Sequence, residues 1–144
     1  MKVGATRRFV VDASMTVAWC FREESTTLSE AVLDSLLGES EAIAPAIWPF
    51  EVANALLMSE RRKRLTTADV SAVLQRIVRL RIVVDPIRIQ DALGTILFLA
   101  RKEQLTEYDA SYLELALREG LPLATLDSRL RSGARNNGVP LLQI

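Results

Sequence analysis

Short apolar runs alternate with amphipathic stretches along this chain, and the alternation predicts its elements. Phe9 to Asp12 (FVVD) is a continuous apolar run ending in an acid, which reads as a buried strand. Ser14 is placed to cap the apolar turn that follows, Met15 to Phe21. Ser25 or Thr26 opens an amphipathic helix carrying Leu28, Ala31, Val32 and Leu36, and Gly38 closes it. Ala42 to Ala44 reads as a second strand, punctuated by Pro45. A longer helix is predicted from Ile47 to about Arg61, with Pro49 tolerated in its first turn. Thr66 and Asp69 have capping-box spacing and open a helix with Val70, Val73, Leu74, Ile77 and Val78 on one face.

The second half repeats the alternation. Ile82 to Val84 is a third strand, closed by Asp85-Pro86, and Ile87 to Lys102 reads as a helix with Ala92, Leu93, Ile96, Leu97 and Ala100 inward. Thr106 caps Glu107 to Glu119, a helix whose Tyr112, Leu113, Leu115, Ala116 and Leu117 leave little polar face; it is expected to be central, and Gly120 ends it. Leu123 to Leu126 forms a fourth strand running into Asp127, Ser128 to about Arg135 a last helix, Asn137-Gly138 a turn, and Leu141 to Ile144 a final strand. Strands separated by helices predict an α/β fold: a central, mostly parallel β-sheet of four to five strands flanked by helices. The 144 residues suit one domain, 1–144, with no repeat, linker or low-complexity segment.

Composition narrows the chemistry. The most strongly apolar stretch, Ile96 to Ala100, is short and soon meets Arg101 and Lys102, so no membrane association is expected. Met1 to Arg8 carries two arginines but no apolar region behind them, which argues against a secretory leader and for a cytoplasmic location. Cys20 is the single cysteine and there is no histidine. A Cys/His zinc site, a Ser-His-Asp triad and a histidine-pair ribonuclease are thereby excluded. Catalysis must use carboxylates, hydroxyls, lysine, arginine or an oxygen-ligated metal, which points to Mg²⁺ or Mn²⁺. The 18 acidic and 18 basic residues balance, so nothing global attracts nucleic acid.

Four acids are placed to matter. Asp12 and Asp127 stand at the carboxyl ends of the first and fourth strands, where open α/β sheets bind ligands. Asp109 lies in the first turn of its helix, where the dipole favours a carboxylate. Glu51 sits among Trp48, Pro49, Phe50, Val52 and Ala53, apolar surroundings that call for a partner, with Asn54 on the same face. Helix capping accounts equally well for Asp12 and Asp127, and dipole complementation for Asp109, so spacing alone leaves both readings open. If the four converge, a divalent cation would relieve their repulsion and acidify a bound water.

The order of motifs around these acids resembles the PIN-domain family, specifically its VapC-type toxin ribonucleases of prokaryotic toxin–antitoxin pairs. The matching pieces are FVVDASMTVAW around Asp12, PFEVANAL around Glu51, LTEYDASYLELALREGLPLATLD spanning Asp109 and Asp127, and the RLRSGARNNGV tail. The resemblance covers essentially the whole chain. It implies a PIN-like fold with Asp12, Glu51, Asp109 and Asp127 around one or two Mg²⁺ ions, Mn²⁺ substituting. Asp12 and Asp109 would be direct ligands, and Glu51 and Asp127 ligands through water or orienters of the attacking water. Asn54 and Thr125 match positions that support the acids by hydrogen bonding, and Ser14 is similar to a hydroxyl found near the site. The implied activity is endonucleolytic RNA cleavage by a metal-activated water. The implied partners are an RNA substrate, a VapB-type antitoxin covering the acids, and a second copy in a homodimer.

Other readings fit less well. A receiver domain would show an acidic pair after the first strand and a late lysine, and a haloacid-dehalogenase-like phosphatase would need D-x-D, whereas Asp12 is followed by Ala13 and Ser14. A non-catalytic PIN-like module that binds RNA or protein is opposed by the presence of all four acids. The basic run Arg61 to Arg64 serves either RNA phosphates or a helix C-terminus, and Arg129, Arg131 and Arg135 either substrate or a solvated face. Trp19, Phe21, Trp48 and Phe50 bracket two of the acids and suit stacking, a partner groove or core packing.

Overall fold

The computed structural model describes residues 8–143. Its sheet has four parallel strands in the order β3-β2-β1-β4: β1 (Arg8–Val11), β2 (Glu41–Pro45), β3 (Ile82–Asp85) and β4 (Leu123–Ala124). Val10 pairs with Ile43 on one side and with Leu123 on the other. Phe9, Val10, Val11, Ala42, Ala44, Leu123 and Ala124 are wholly buried, which is why these strands read as unbroken apolar runs. β3 lies on an edge, and there Val83 and Val84 are exposed.

Seven α-helices flank the sheet among the described residues: α1 (Ala13–Cys20), α2 (Thr27–Leu37), α3 (Trp48–Arg61), α4 (Thr67–Ile77), α5 (Ile96–Glu103), α6 (Glu107–Glu119) and α7 (Ser128–Asn136). α6 is the central one: every residue from Ala110 to Ala116 is buried, and it packs on β1, β2, β4, α5 and α7. Glu114 is tolerated there because Arg118 donates to it at 2.8 Å and also binds Asp85 at the end of β3. Local signals set the ends. Thr26 and Thr66 each complete a capping box, Thr106 caps α6, and Gly120 ends it at φ 64°, a left-handed turn that favours glycine. No helix among the described residues is long and apolar enough to cross a membrane.

Several expectations need correction. Asp12, not Ser14, caps the first helix, accepting from the Met15 N–H at 2.9 Å. The helix expected from Ile87 begins at position 89 and contains a π-helical turn, Asp91–Thr95, in which Ile96 N–H bonds the Asp91 carbonyl. That wide turn rotates the face: Leu93 is 72% exposed, while Ile96, Leu99 and Ala100 are buried. The fourth strand stops at Ala124, because the Thr125 hydroxyl and the Leu126 and Asp127 amides bond within the candidate site instead. The final strand reduces to isolated bridge positions at Leu141, which pairs with Leu123, and at Gln143, and its expected last residue, Ile144, lies outside the described residues. Val73 on α4 is buried, but Val78, just past its end, is largely exposed.

Candidate active site

Strand order determines where the acids can meet. From β1 the chain steps one way to β2 and β3, then returns to set β4 on the other side of β1. Parallel α/β sheets bind ligands at the carboxyl ends of the strands where the order reverses. Asp12 follows β1 and Asp127 follows β4, so both stand at this reversal.

Asp12 is 4% exposed and fully engaged. Ser14 Oγ lies 2.8 and 2.9 Å from its two carboxylate oxygens, the Met15 N–H donates to Oδ1, and the Thr125 hydroxyl donates to Oδ2. Both hydroxyls also tie back to the end of β4. Ser14 Oγ accepts from the Leu126 N–H at 3.0 Å, and Thr125 Oγ1 accepts from the Asp127 N–H at 3.0 Å. Burial pushes the Asp12 carboxyl up to about 6; the bonds from Thr125, Met15 and Ser14 pull it down, and the charge of Asp127 raises it. Asp127 in turn caps α7, accepting from the Leu130 N–H at 2.9 Å. The structural and chemical readings of these two acids therefore hold together: each is a cap whose carboxylate stands at the reversal.

Glu51 lies in the first turn of α3, which is anchored to the site by Trp48. The Trp48 indole donates to Thr16 Oγ1 at 3.0 Å, and the Thr16 hydroxyl donates to the Asp12 carbonyl at 3.1 Å. Tyr112 Oη donates to Glu51 Oε1 at 2.6 Å. Burial raises the Glu51 carboxyl, the Tyr112 bond lowers it, and Asp109 raises it. Burial and the charges of Glu51 and Asp12 drive the Tyr112 hydroxyl far up, so it stays a neutral donor. Asp109 occupies the first turn of α6, its N–H bonded to Thr106 Oγ1 at 3.0 Å. Burial and the charge of Asp127 raise its carboxyl, and Thr106 and Arg129 lower it.

The four acids thus come from four separate places in the chain and share one field. Asp127 acts on Asp12 and on Asp109, and Asp109 acts on Glu51. Among the described residues, no three His, Cys, Asp or Glu side chains form a ready ligand group for a metal. The donor set nonetheless suits a hard divalent cation. It is all oxygen, and the carboxyls of Asp12, Glu51 and Asp109 are each raised by burial and by a neighbouring acid, two penalties that a positive charge relieves.

Ser14 and Thr125 both bond the Asp12 carboxylate through their hydroxyls. Asn54 does not bond any of the four acids; it is exposed, and Glu51 turns to Tyr112 instead. Tyr112 was legible only as a packing residue, although a tyrosine in a helix without a polar face needs a partner for its hydroxyl. Glu51, an acid in apolar surroundings, was the matching signal. Trp48 and Phe21 are buried, whereas Phe50, beside Glu51, is exposed. Within the basic run, Arg64 pairs with Glu23 and lies 4.6 Å from the Phe21 ring centroid.

Fold and site together define a class: an α/β domain with a histidine-free acidic site where its parallel strand order reverses. The chain belongs to the PIN domain family, which matches residues 9–136 and so spans all four acids. Among solved structures it is similar to PAE2754 from Pyrobaculum aerophilum, at 24% identity and a TM-score of 0.67, covering 96% of this chain and 84% of that one. It is also similar to VapC20 of Mycobacterium tuberculosis, described as a Sarcin-Ricin loop cleaving toxin. There the identity is 12% and the TM-score 0.62, over 87% of this chain and 93% of that one. At these identities the likeness is one of fold. No curated protein matches the chain.

Proposed function

We propose that this PIN domain is a divalent-metal-dependent endoribonuclease, the toxin of a VapBC-type toxin–antitoxin pair, acting as a single domain. The observation that carries the reading is Asp12. It is a buried carboxylate at the strand reversal, its carboxyl raised to about 6, held by hydroxyls from both flanking strand ends and facing the charge of Asp127. PIN domains are generally nucleases, and membership of the family supports the same chemistry.

Asp12 and Asp109 would hold Mg²⁺ or Mn²⁺ directly, with Glu51 and Asp127 reaching it through water. A divalent cation so bound polarises a phosphodiester and acidifies a water towards neutral pH. The protein's own contribution is to fix the acids. Ser14 and Thr125 lock the Asp12 carboxylate, and Tyr112 holds Oε1 of Glu51 while Oε2 makes no hydrogen bond among the described residues. Oε2 is thus the atom available to take the proton of an attacking water. Attack by water leaves the RNA 2′-hydroxyl out of the reaction. An antitoxin covering the acids and a homodimer complete this reading.

Cleavage of a mixed RNA pool tests it, in Mg²⁺, in Mn²⁺ and in chelator, with Asp12→Asn alongside. Metal-dependent cutting that the variant loses is expected. A folded, antitoxin-free protein that binds RNA or protein without cutting any RNA would favour the non-catalytic module instead.

A further inference from the structure

The acids meet an RNA strand with a difficulty that the residues above do not remove. Carboxylates repel phosphates, and the chain carries no net charge to offset this. A cation among the acids would serve the scissile phosphate; the phosphates beside it would still need a holder. Two other arginines are already committed. Arg131 donates to the Thr125 carbonyl at 3.0 Å, and Arg118 is shared among Glu114, Asp85 and Glu119.

Arg129 is not. It lies in the first turn of α7, just past Asp127, exposed and without a hydrogen bond or ion pair among the described residues. Its charge nonetheless reaches Asp109. It borders a polar basin of about 370 Å³ whose other walls are Ser128, Ser132, Gln104 and Glu103. Glu103, the one acid of that lining, has Oε1 engaged by the Asn136 amide at 2.8 Å. Against that one carboxylate the basin sets a guanidinium, two hydroxyls and a side-chain amide, donors that suit a singly charged, acceptor-only group.

We propose that this basin is a phosphodiester subsite: Arg129, with the Ser128 and Ser132 hydroxyls, holds the RNA phosphate beside the scissile one. The assignment rests on the endoribonuclease reading and adds a direction to it. The strand leaves the acids across the first turn of α7. Arg129 is then a binding residue, and its charge near Asp109 is incidental to the acids' own work.

The test compares Arg129→Gln, Arg129→Lys and Arg135→Gln, the last removing an exposed charge farther along the same helix. KM and kcat for a mixed-sequence single-stranded RNA are measured in Mg²⁺. Affinity for the same RNA is measured by fluorescence anisotropy over a range of salt, with each substitution placed in the non-cleaving Asp12→Asn chain. Arg129→Gln is expected to raise KM and Kd about tenfold, to leave kcat within about twofold, and to lower the salt slope by about one. Arg129→Lys should recover most of the loss, and Arg135→Gln should match its parent. An unchanged KM and salt slope in Arg129→Gln overturns the subsite. So does an equal effect of Arg135→Gln, which would mean a general basic face, or a fall in kcat alone, which would mean that Arg129 acts through Asp109. If wild type cuts RNA and Arg129→Gln behaves like it, only the subsite fails. If wild type cuts none and Asp12→Asn binds none, the nuclease reading fails and the subsite with it.

Discussion

Tyr112 Oη donates to Glu51 Oε1 at 2.6 Å, joining the buried middle of α6 to the first turn of α3. The bond answers two demands at once: a hydroxyl on a side chain only 1% exposed needs an acceptor, and a half-buried carboxylate needs a donor. Tyr112→Phe should therefore destabilise the protein by about 1–3 kcal/mol, as expected for losing a hydrogen bond to a charged group. Because the bond lowers the Glu51 carboxyl, its loss should also move that carboxyl further up. Urea unfolding of the two proteins checks the first effect, and NMR titration of the Glu51 carboxyl carbon checks the second. Equal unfolding midpoints would mean that water replaces the tyrosine.

Asp12 gives the metal-free protein an unusual pH dependence. Burial holds its carboxyl at about 6 against an ordinary 3.8. Between these values the folded state keeps a proton that the unfolded state has released, so stability falls as pH rises through the window and stays reduced above it. The raised value corresponds to a loss on the order of 3 kcal/mol. In chelator, the stability difference between wild type and Asp12→Asn should shift across this window in favour of the variant, which has no charge to bury. A constant difference would show that Asp12 ionises in the fold as freely as it does in the unfolded chain.

How far the sequence foretold these arrangements depends on the scale of the signal. The strands were legible at Phe9 to Val11 and Ala42 to Ala44 because parallel strands buried on both faces leave unbroken apolar runs. Thr66 with Asp69, and Thr106 with Gly120, announced helix ends because capping acts over a few residues. The π-helical turn at Asp91–Thr95 left no such mark, since one extra residue in a turn moves Leu93 outward without altering composition. The four acids could be named from strand ends, apolar context and family resemblance. Thr125 could be named as a support of the acids from the resemblance alone, but the Tyr112–Glu51 bond could not: it joins residues far apart in the chain, and periodicity carries no information about such pairs. Asn54 errs the other way, sharing a helix face with Glu51 while the carboxylate turns elsewhere.

Thr125 offers a sharper test of preorganisation. Its side chain is wholly buried, donating to Asp12 Oδ2 and accepting from the Asp127 N–H, so one hydroxyl ties two acids together. Thr125→Val keeps the shape and removes both bonds. It should lose about 1–3 kcal/mol of stability, because the Asp127 N–H loses its acceptor and Asp12 Oδ2 keeps only the Ser14 hydroxyl. It should also lower kcat with little change in KM, because the loss falls on geometry at the reacting centre. Thr125→Ser should restore most of both. Failure of the serine to rescue would assign the effect to the methyl group and to packing.

Mutual repulsion among the acids predicts an inverted response at Asp109. Burial and Asp127 both raise its carboxyl, so neutralising it in the metal-free protein relieves strain. Asp109→Asn is expected to melt above wild type in chelator. Added Mg²⁺ should raise the wild-type melting temperature more than the variant's, since a ligand bound only by the folded state stabilises it more the tighter it binds. An equal response of the two proteins to Mg²⁺ would place the ion elsewhere.

Asp127 lets cap and chemistry be separated. Its carboxylate accepts from the Leu130 N–H at 2.9 Å as the cap of α7, and its charge acts on both Asp12 and Asp109. Asparagine is as good a cap as aspartate, whereas alanine is a poor one. Asp127→Asn should therefore keep α7 and nearly all of the stability, while Asp127→Ala should lose about 1 kcal/mol. Both should lose metal-dependent cleavage, because neither carries the charge. Asp127→Asn should in addition lower the Asp12 carboxyl from about 6, since the Asp127 charge is one of the influences raising it. Thermal melts and an RNA-cleavage assay on the two variants read these roles independently. An active Asp127→Asn would reduce the residue to a helix cap, leaving the remaining acids to carry the reaction.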